Sequence, residues 1–251
     1  MSKKKIIGQC HLCGQTKPLS FEHIPPEKAF NDLRLKAYTF EQLIGNRSGS
    51  KTFQHGYGDY TLCECCNNNT GSWYGRAYVD FVYQAMENRA TKKFDIENGI
   101  INDFSIYPLR VFKQILTMFF TVNYPEFQNK YPWLRDYILN KENTCYLDSL
   151  KLFVYYVEDM QSVRISPGVL GTIDTETRIT AMFSEFAYPP LGYILSYDDV
   201  VLDPRLVNIT GFSNYKYDEK ATFQLNVFPL PIANTFYGEF RTPEEIQRQN
   251  L

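Results

Sequence analysis

The chain has 251 residues, of which 44% are hydrophobic and 22% charged, with a formal net charge of −2. A chain of that length buries a sizeable core without help from disulfides, and its charge balance excludes a small basic domain that would hold a polyanion by net charge alone. No run approaches the roughly 18 uninterrupted apolar residues of a membrane span, and the opening MSKKKIIG lacks the apolar stretch and cleavage site of a secretory signal. The expectation is a cytoplasmic chain with reduced thiols and no membrane partner.

In chain order, charge and cysteine divide the sequence. Residues 1–90 carry 11 basic against 8 acidic side chains, and the remainder carries 15 against 20. Five of the six cysteines lie before residue 67: Cys10, Cys13, Cys63, Cys65 and Cys66, with Cys145 alone downstream. Between the groups runs LSFEHIPPEKAF (Leu19 to Phe30), which places His23, one of three histidines, after Glu22 and before Ile24-Pro25-Pro26. From Ser72, apolar residues at Tyr74, Ala77, Tyr78, Phe81, Val82, Ala85 and Met86 predict an amphipathic helix with Ser72 as its cap.

Pro108 to Asn123 predicts a second helix with a proline in its first turn, and the segment around Pro132 one or two short helices. From Lys151 the runs KLFVYYVED, VRISPGVLGTID, RITAMFSEFAYPPLGYILSY and ATFQLNVFPL are rich in β-branched and aromatic residues and predict strands. The 19 Tyr and 19 Phe are read as half-buried sheet and core residues rather than as a base-stacking surface. No repeat or low-complexity linker is visible, and the division near residue 90 is one of composition.

Cys10-x-x-Cys13 and Cys63-x-x-Cys66 form a paired pattern. Each pair can present two sulfurs about 2.3 Å from one ion, and four soft ligands with no open position describe structural zinc; free thiols and a redox pair are the alternatives. Gly14 suits the knuckle turn, where positive φ is often needed. Cys65 and Cys145 are read as unliganded, His11 as a solvent-facing knuckle residue, and His55, in QHGYGDY, as either a phosphate or metal contact or an idle loop residue.

Two cysteines, an acidic residue followed by His-Ile-Pro, two further cysteines, then Asn67, Asn68 and Asn69 before a helix: over about residues 8–90 this order resembles the HNH endonucleases, specifically their zinc-stapled treble-clef subgroup. The resemblance implies an N-terminal treble-clef or ββα-metal zinc domain over residues 1–90 and says nothing of the remainder. With the elements predicted above, the chain is expected to be α+β, residues 91–251 forming an α/β accessory part with helices over about 108–140 and a mainly antiparallel β region over about 151–230. The resemblance also implies that His23 is the general base, imidazole being suited to that work near neutral pH. Glu22 and Asn67, with Asn68 as the alternative to Asn67, would hold one catalytic Mg²⁺ or similar divalent ion.

The implied substrate is DNA, with RNA as the alternative, in a bacterial or phage defence or mobile-element setting. A protein partner or a second copy would bind the acidic C-terminal part. Glu22 stands where Asp is commoner, and the residue that supports the base is not evident: Asn46 and Asp59 are candidates. The rival reading is a non-catalytic zinc-binding adaptor for nucleic acid or protein.

Overall fold

Helices and antiparallel sheets make up the computed structural model, an α+β arrangement. It describes residues 5–37, 50–147, 149–174, 179–200, 202–233, 235 and 237–249. Strands β1 (Ile7–Gln9) and β2 (Thr16–His23) form a hairpin. The short strands β3 (Leu35–Ala37) and β4 (Lys51–Phe53) make a separate ribbon. Strand β5 (Gly58–Cys63) returns to pair with β2 and completes a three-stranded sheet in the order β1-β2-β5. Asn46 lies outside the described residues.

The chain turns directly from β5 into helix α1 (Glu64–Thr70), passes through a π-helical turn at Gly71–Gly75 and continues as α2 (Arg76–Thr91). The predicted start at Ser72 is therefore corrected. Cys63 is the N-cap, and Ser72 lies inside the helical run with its hydroxyl donating to Asn69 O. Thr70 similarly donates to Cys66 O at 2.9 Å. Two hydroxyls bonded back to carbonyls loosen the α ladder, and the widened turn falls beside them.

Strand β6 (Ile100–Ile106) follows, then α3 (Pro108–Val122), where the predicted helix stands within one residue of its expected end. Two short helices, α4 (Phe127–Lys130) and α5 (Pro132–Leu139), flank Pro132 as expected. Next come β7 (Lys151–Val157), β8 (Arg164–Asp174), β9 (Ile179–Tyr188) and β10 (Leu191–Ser196). The remaining elements are β11 (Val207–Asn208), β12 (Ala221–Val227), β13 (Pro229–Leu230) and α6 (Pro243–Gln249). A six-stranded sheet has the order β11-β7-β10-β9-β8, with β13 joining β7 in parallel, and β6 pairs antiparallel with β12 across more than a hundred residues of sequence.

Strand β7 divides its side chains by parity, as the two-residue period of a strand requires. Leu152, Val154 and Tyr156 join the main core, while Phe153, Tyr155 and Val157 join a second cluster on the other face with Phe183, Leu230 and Phe240. Burial on both faces explains why LFVYYV has no polar break. The main core is continuous from Cys10 and Leu62 through Tyr74, Phe81 and Phe112 to Tyr193 and Val227. Among the described residues no helix is long and apolar enough to cross a membrane.

Helix α3 carries a fully buried lysine. Lys113 Nζ donates to the carbonyls of Asn140 (2.8 Å), Lys141 (3.2 Å) and Asn143 (2.8 Å), and lies 4.2 Å from the Tyr137 ring centroid. These bonds close the chain end of α5. Burial pulls the ammonium down from 10.5 to about 7, opposed by the charge of Glu142.

Between those two values the unfolded chain binds the extra proton, so Lys113 makes stability climb as pH rises from about 7 towards 10.5, with no such gain below the window. Lys113→Met is expected to abolish that slope. Leaving the three carbonyls without their donor lowers stability by about 1–3 kcal/mol near neutral pH, readable by urea unfolding at a neutral and an alkaline pH.

Candidate metal centre and active site

The four paired cysteines meet where two turns face each other. In the first, Cys10 N donates to Gln15 O and Gly14 N to Cys10 O, with Gly14 at φ 74°, a value that favours glycine. In the second, β5 runs into α1, so Cys63 caps the helix and Cys66 lies in its first turn. The sulfurs of Cys10, Cys13, Cys63 and Cys66 all lie within 4.8 Å of one another. Tetrahedral bonds of about 2.3 Å place sulfurs about 3.8 Å apart, and Cys13 Sγ and Cys63 Sγ are 3.9 Å apart. The donor set and spacing fit a metal ion.

Cys10 Sγ accepts the backbone N–H of both Cys13 (3.5 Å) and Cys63 (3.3 Å). A hydrogen bond from Cys66, then these N–H groups, hold the Cys10 thiol well below the ordinary thiol range, while the same bond and burial push Cys66 up. Binding of an ion here would release the protons of the thiols it engages. Among the described residues these four are the one group of three or more Cys, His, Asp or Glu side chains placed to share an ion. His11 is not part of it. Expected to face solvent, it is half-buried with Nδ1 enclosed. Cys65 and Cys145 are exposed.

Beside the cluster lies a cleft of about 660 Å³ whose walls include Glu22, His23 and Asn67. Strict alternation would send Glu22 and His23 to opposite faces of β2. Two features bring both to one opening. Strand β1 pairs only with residues 16–18, leaving the edge of β2 open at residues 20–23. The β2–β5 register also shifts between Ser20 and Glu22, a bulge that twists the strand there. Gly58, opposite His23, has no room for a side chain, since a Cβ would meet Glu22 O at 2.3 Å and the Phe21 ring at 2.6 Å.

His23 Nε2 lies 3.0 Å from His55 O. A carbonyl only accepts, so Nε2 donates, and in the neutral ring the lone pair is then at Nδ1. The support for His23 is therefore backbone, from the carbonyl of His55. Asp59 does not fill that place: it pairs across from Glu22 and its carboxylate accepts Tyr60 N. Loop 54–57 is held by Asn31, fully buried, which donates to Pro25 O and Tyr57 O at 2.7 Å each and accepts Tyr57 N at 2.6 Å. No motif announces Asn31, because a single asparagine in a loop has no periodic signature.

Asn67 Nδ2 donates to Ser20 Oγ (3.1 Å) and Phe21 O (3.3 Å), tying α1 to β2 and leaving its amide oxygen free to accept. Asn68 is corrected. It lines a separate depression with Lys5, Lys17 and Cys65, because a helix that begins at Glu64 turns it about 100° away from Asn67. Glu22 Oε1 accepts the Thr61 hydroxyl. Burial first, against the opposing Thr61 bond, pushes its carboxyl up to about 8.

Comparison with protein-family models, with curated proteins and with solved structures found no match for this chain. The functional reading rests on the residues themselves.

Asn31→Ala is expected to lower stability by about 3 kcal/mol, the result of stranding several buried backbone groups. It also releases loop 54–57, so the His23 ring signals in an NMR spectrum should broaden or shift more than those of His11.

Proposed function

We propose that the cleft is the active site of a metal-dependent endonuclease of the HNH type, stapled by structural zinc at Cys10, Cys13, Cys63 and Cys66. The observation that carries this reading is that Glu22, His23 and Asn67 wall one cleft beside the four-cysteine cluster. The order of a cysteine-bearing hairpin, a strand and a helix begun by the second cysteine pair supports the treble-clef assignment. In this reading His23 Nδ1 takes the proton of a water molecule as its oxygen attacks phosphorus and the P–O3′ bond breaks. The His55 carbonyl steadies the imidazolium so formed, through Nε2. Glu22 and the Asn67 amide oxygen are hard donors suited to Mg²⁺, which when bound supplies positive charge to the phosphate and the departing 3′ oxygen. Asn67 is pre-set for that place by its two bonds to β2.

One observation favours a second reading, a zinc-bearing adaptor without catalysis. The Glu22 carboxyl is engaged by Thr61 and, with its titration pushed up to about 8, is mostly neutral near pH 7 until a cation draws its proton off. The two readings part on one experiment. Purified protein should carry one zinc ion per chain by elemental analysis, and should nick plasmid or degrade single-stranded DNA or RNA in Mg²⁺, Mn²⁺ or Ni²⁺. His23→Ala should lower that rate by about 100-fold or more with zinc content and Tm unchanged. Undiminished cleavage by His23→Ala rejects the mechanism, and a zinc-loaded wild type that cuts nothing in any of the three metals selects the adaptor.

A further inference from the structure

We propose that the cleft accepts one unpaired nucleotide of a single strand, its base seated against Gln114 and its phosphates towards Arg76 and His23. This deepens the endonuclease reading by naming the substrate form, and four observations made away from the reacting groups carry it.

Gly71 and Gly75 both line the cleft, one turn apart on the helical run. Their φ values of −60° and −55° are those of any helical residue, and a Cβ at either would meet nothing within 4 Å. Neither conformation nor packing requires glycine, a poor helix former, at these positions. What two missing side chains supply is room. The volume of about 660 Å³ lies in the range of small-ligand sites.

The floor of that room comes from α3. Gln114 is 7% exposed, and its amide oxygen is enclosed without a hydrogen-bond partner among the described residues. Thr117, one turn on, lines the same floor. Gln114 thus brings an unmatched buried acceptor to the cleft lining, and a turn of its amide would offer that acceptor to a ligand that carries N–H groups, as the edge of a nucleobase does. Arg76, exposed on the adjacent wall, makes no ion pair or hydrogen bond among the described residues and is placed to meet a phosphate. At the rim, Phe21 is 44% exposed, with its ring 5.1 Å from that of His23 and 5.5 Å from that of Tyr60, a surface on which a base can stack. A base reaches a recessed amide only when it is out of a duplex stack.

The test is fluorescence anisotropy in the His23→Ala protein without added divalent ion, using a labelled short single strand and the same sequence as a blunt duplex. The single strand should bind at least about tenfold tighter, and Gly75→Leu and Gln114→Leu should each weaken it on the order of tenfold. Gly71→Ala and Gly75→Ala should hold or raise Tm, which separates loss of room from loss of folding. Equal binding of the duplex, or unchanged affinity in Gly75→Leu, overturns the proposal. Single-strand binding by a wild type that cuts nothing upholds the proposal while rejecting the cleavage chemistry. Cleavage confined to duplex rejects the proposal alone.

Discussion

The placement of Asn67 against the strand of Glu22 and His23 depends on four sulfur atoms. Cys10 accepts N–H groups from its own turn and from Cys63, so the hairpin and the start of the long helix are held to one point. From there the geometry follows in steps of a helical turn. The helix begins at Cys63, Asn67 comes round to face β2, and its amide binds the backbone beside Glu22 and His23. A shift of the helix by one residue would present Asn68 instead and break that tie. Weak local elements, a three-residue strand and a seven-residue helix, are thereby held in register that their own hydrogen bonds could not impose.

The rest of the chain closes what this arrangement opens. Helix α2 ends with Arg89 bound to the carbonyls of Val157 and Glu158 at the end of β7, and Tyr78 meets Tyr193 in the core. Helix α3, which buries its own Phe112, Ile115 and Phe119 in the main core, brings Gln114 and Thr117 to the cleft. The floor of the candidate site thus belongs to the same hydrophobic core that supports the six-stranded sheet. Cleft floor and scaffold share residues of one helix.

Much of this is legible in the sequence where the signal is local. The cysteine spacing marks the sulfur cluster, Glu22-His23 before Ile-Pro-Pro marks the cleft wall, and unbroken apolar runs mark β7 and α3. Signals that depend on distant partners are not legible. Strand β6, IINDFSI, has its partner more than a hundred residues away at β12. The support for His23 is a carbonyl, which every residue has. Gln114 sits in a helix that reads as ordinary core, and only its missing partner distinguishes it. The helix starts at Glu64 rather than at Ser72 because the cysteine junction and tertiary packing override the poor helical propensity of CECCNNNTGS, with its three asparagines and a glycine.

The π turn at Gly71–Gly75 has a further meaning when the chain is considered as something that changes by insertion and deletion. It accommodates one residue more than an α ladder would over the same rise, between an end fastened at the cysteines and an end fastened at β7. Removing a single residue there would restore a regular helix over the same rise, redistributing only the side chains of the turn itself. Arg76 would keep its place at the cleft, and Tyr78 and Phe81 theirs in the core. The wide turn therefore absorbs a change of length that a regular helix would pass on to everything beyond it as a rotation of about 100°.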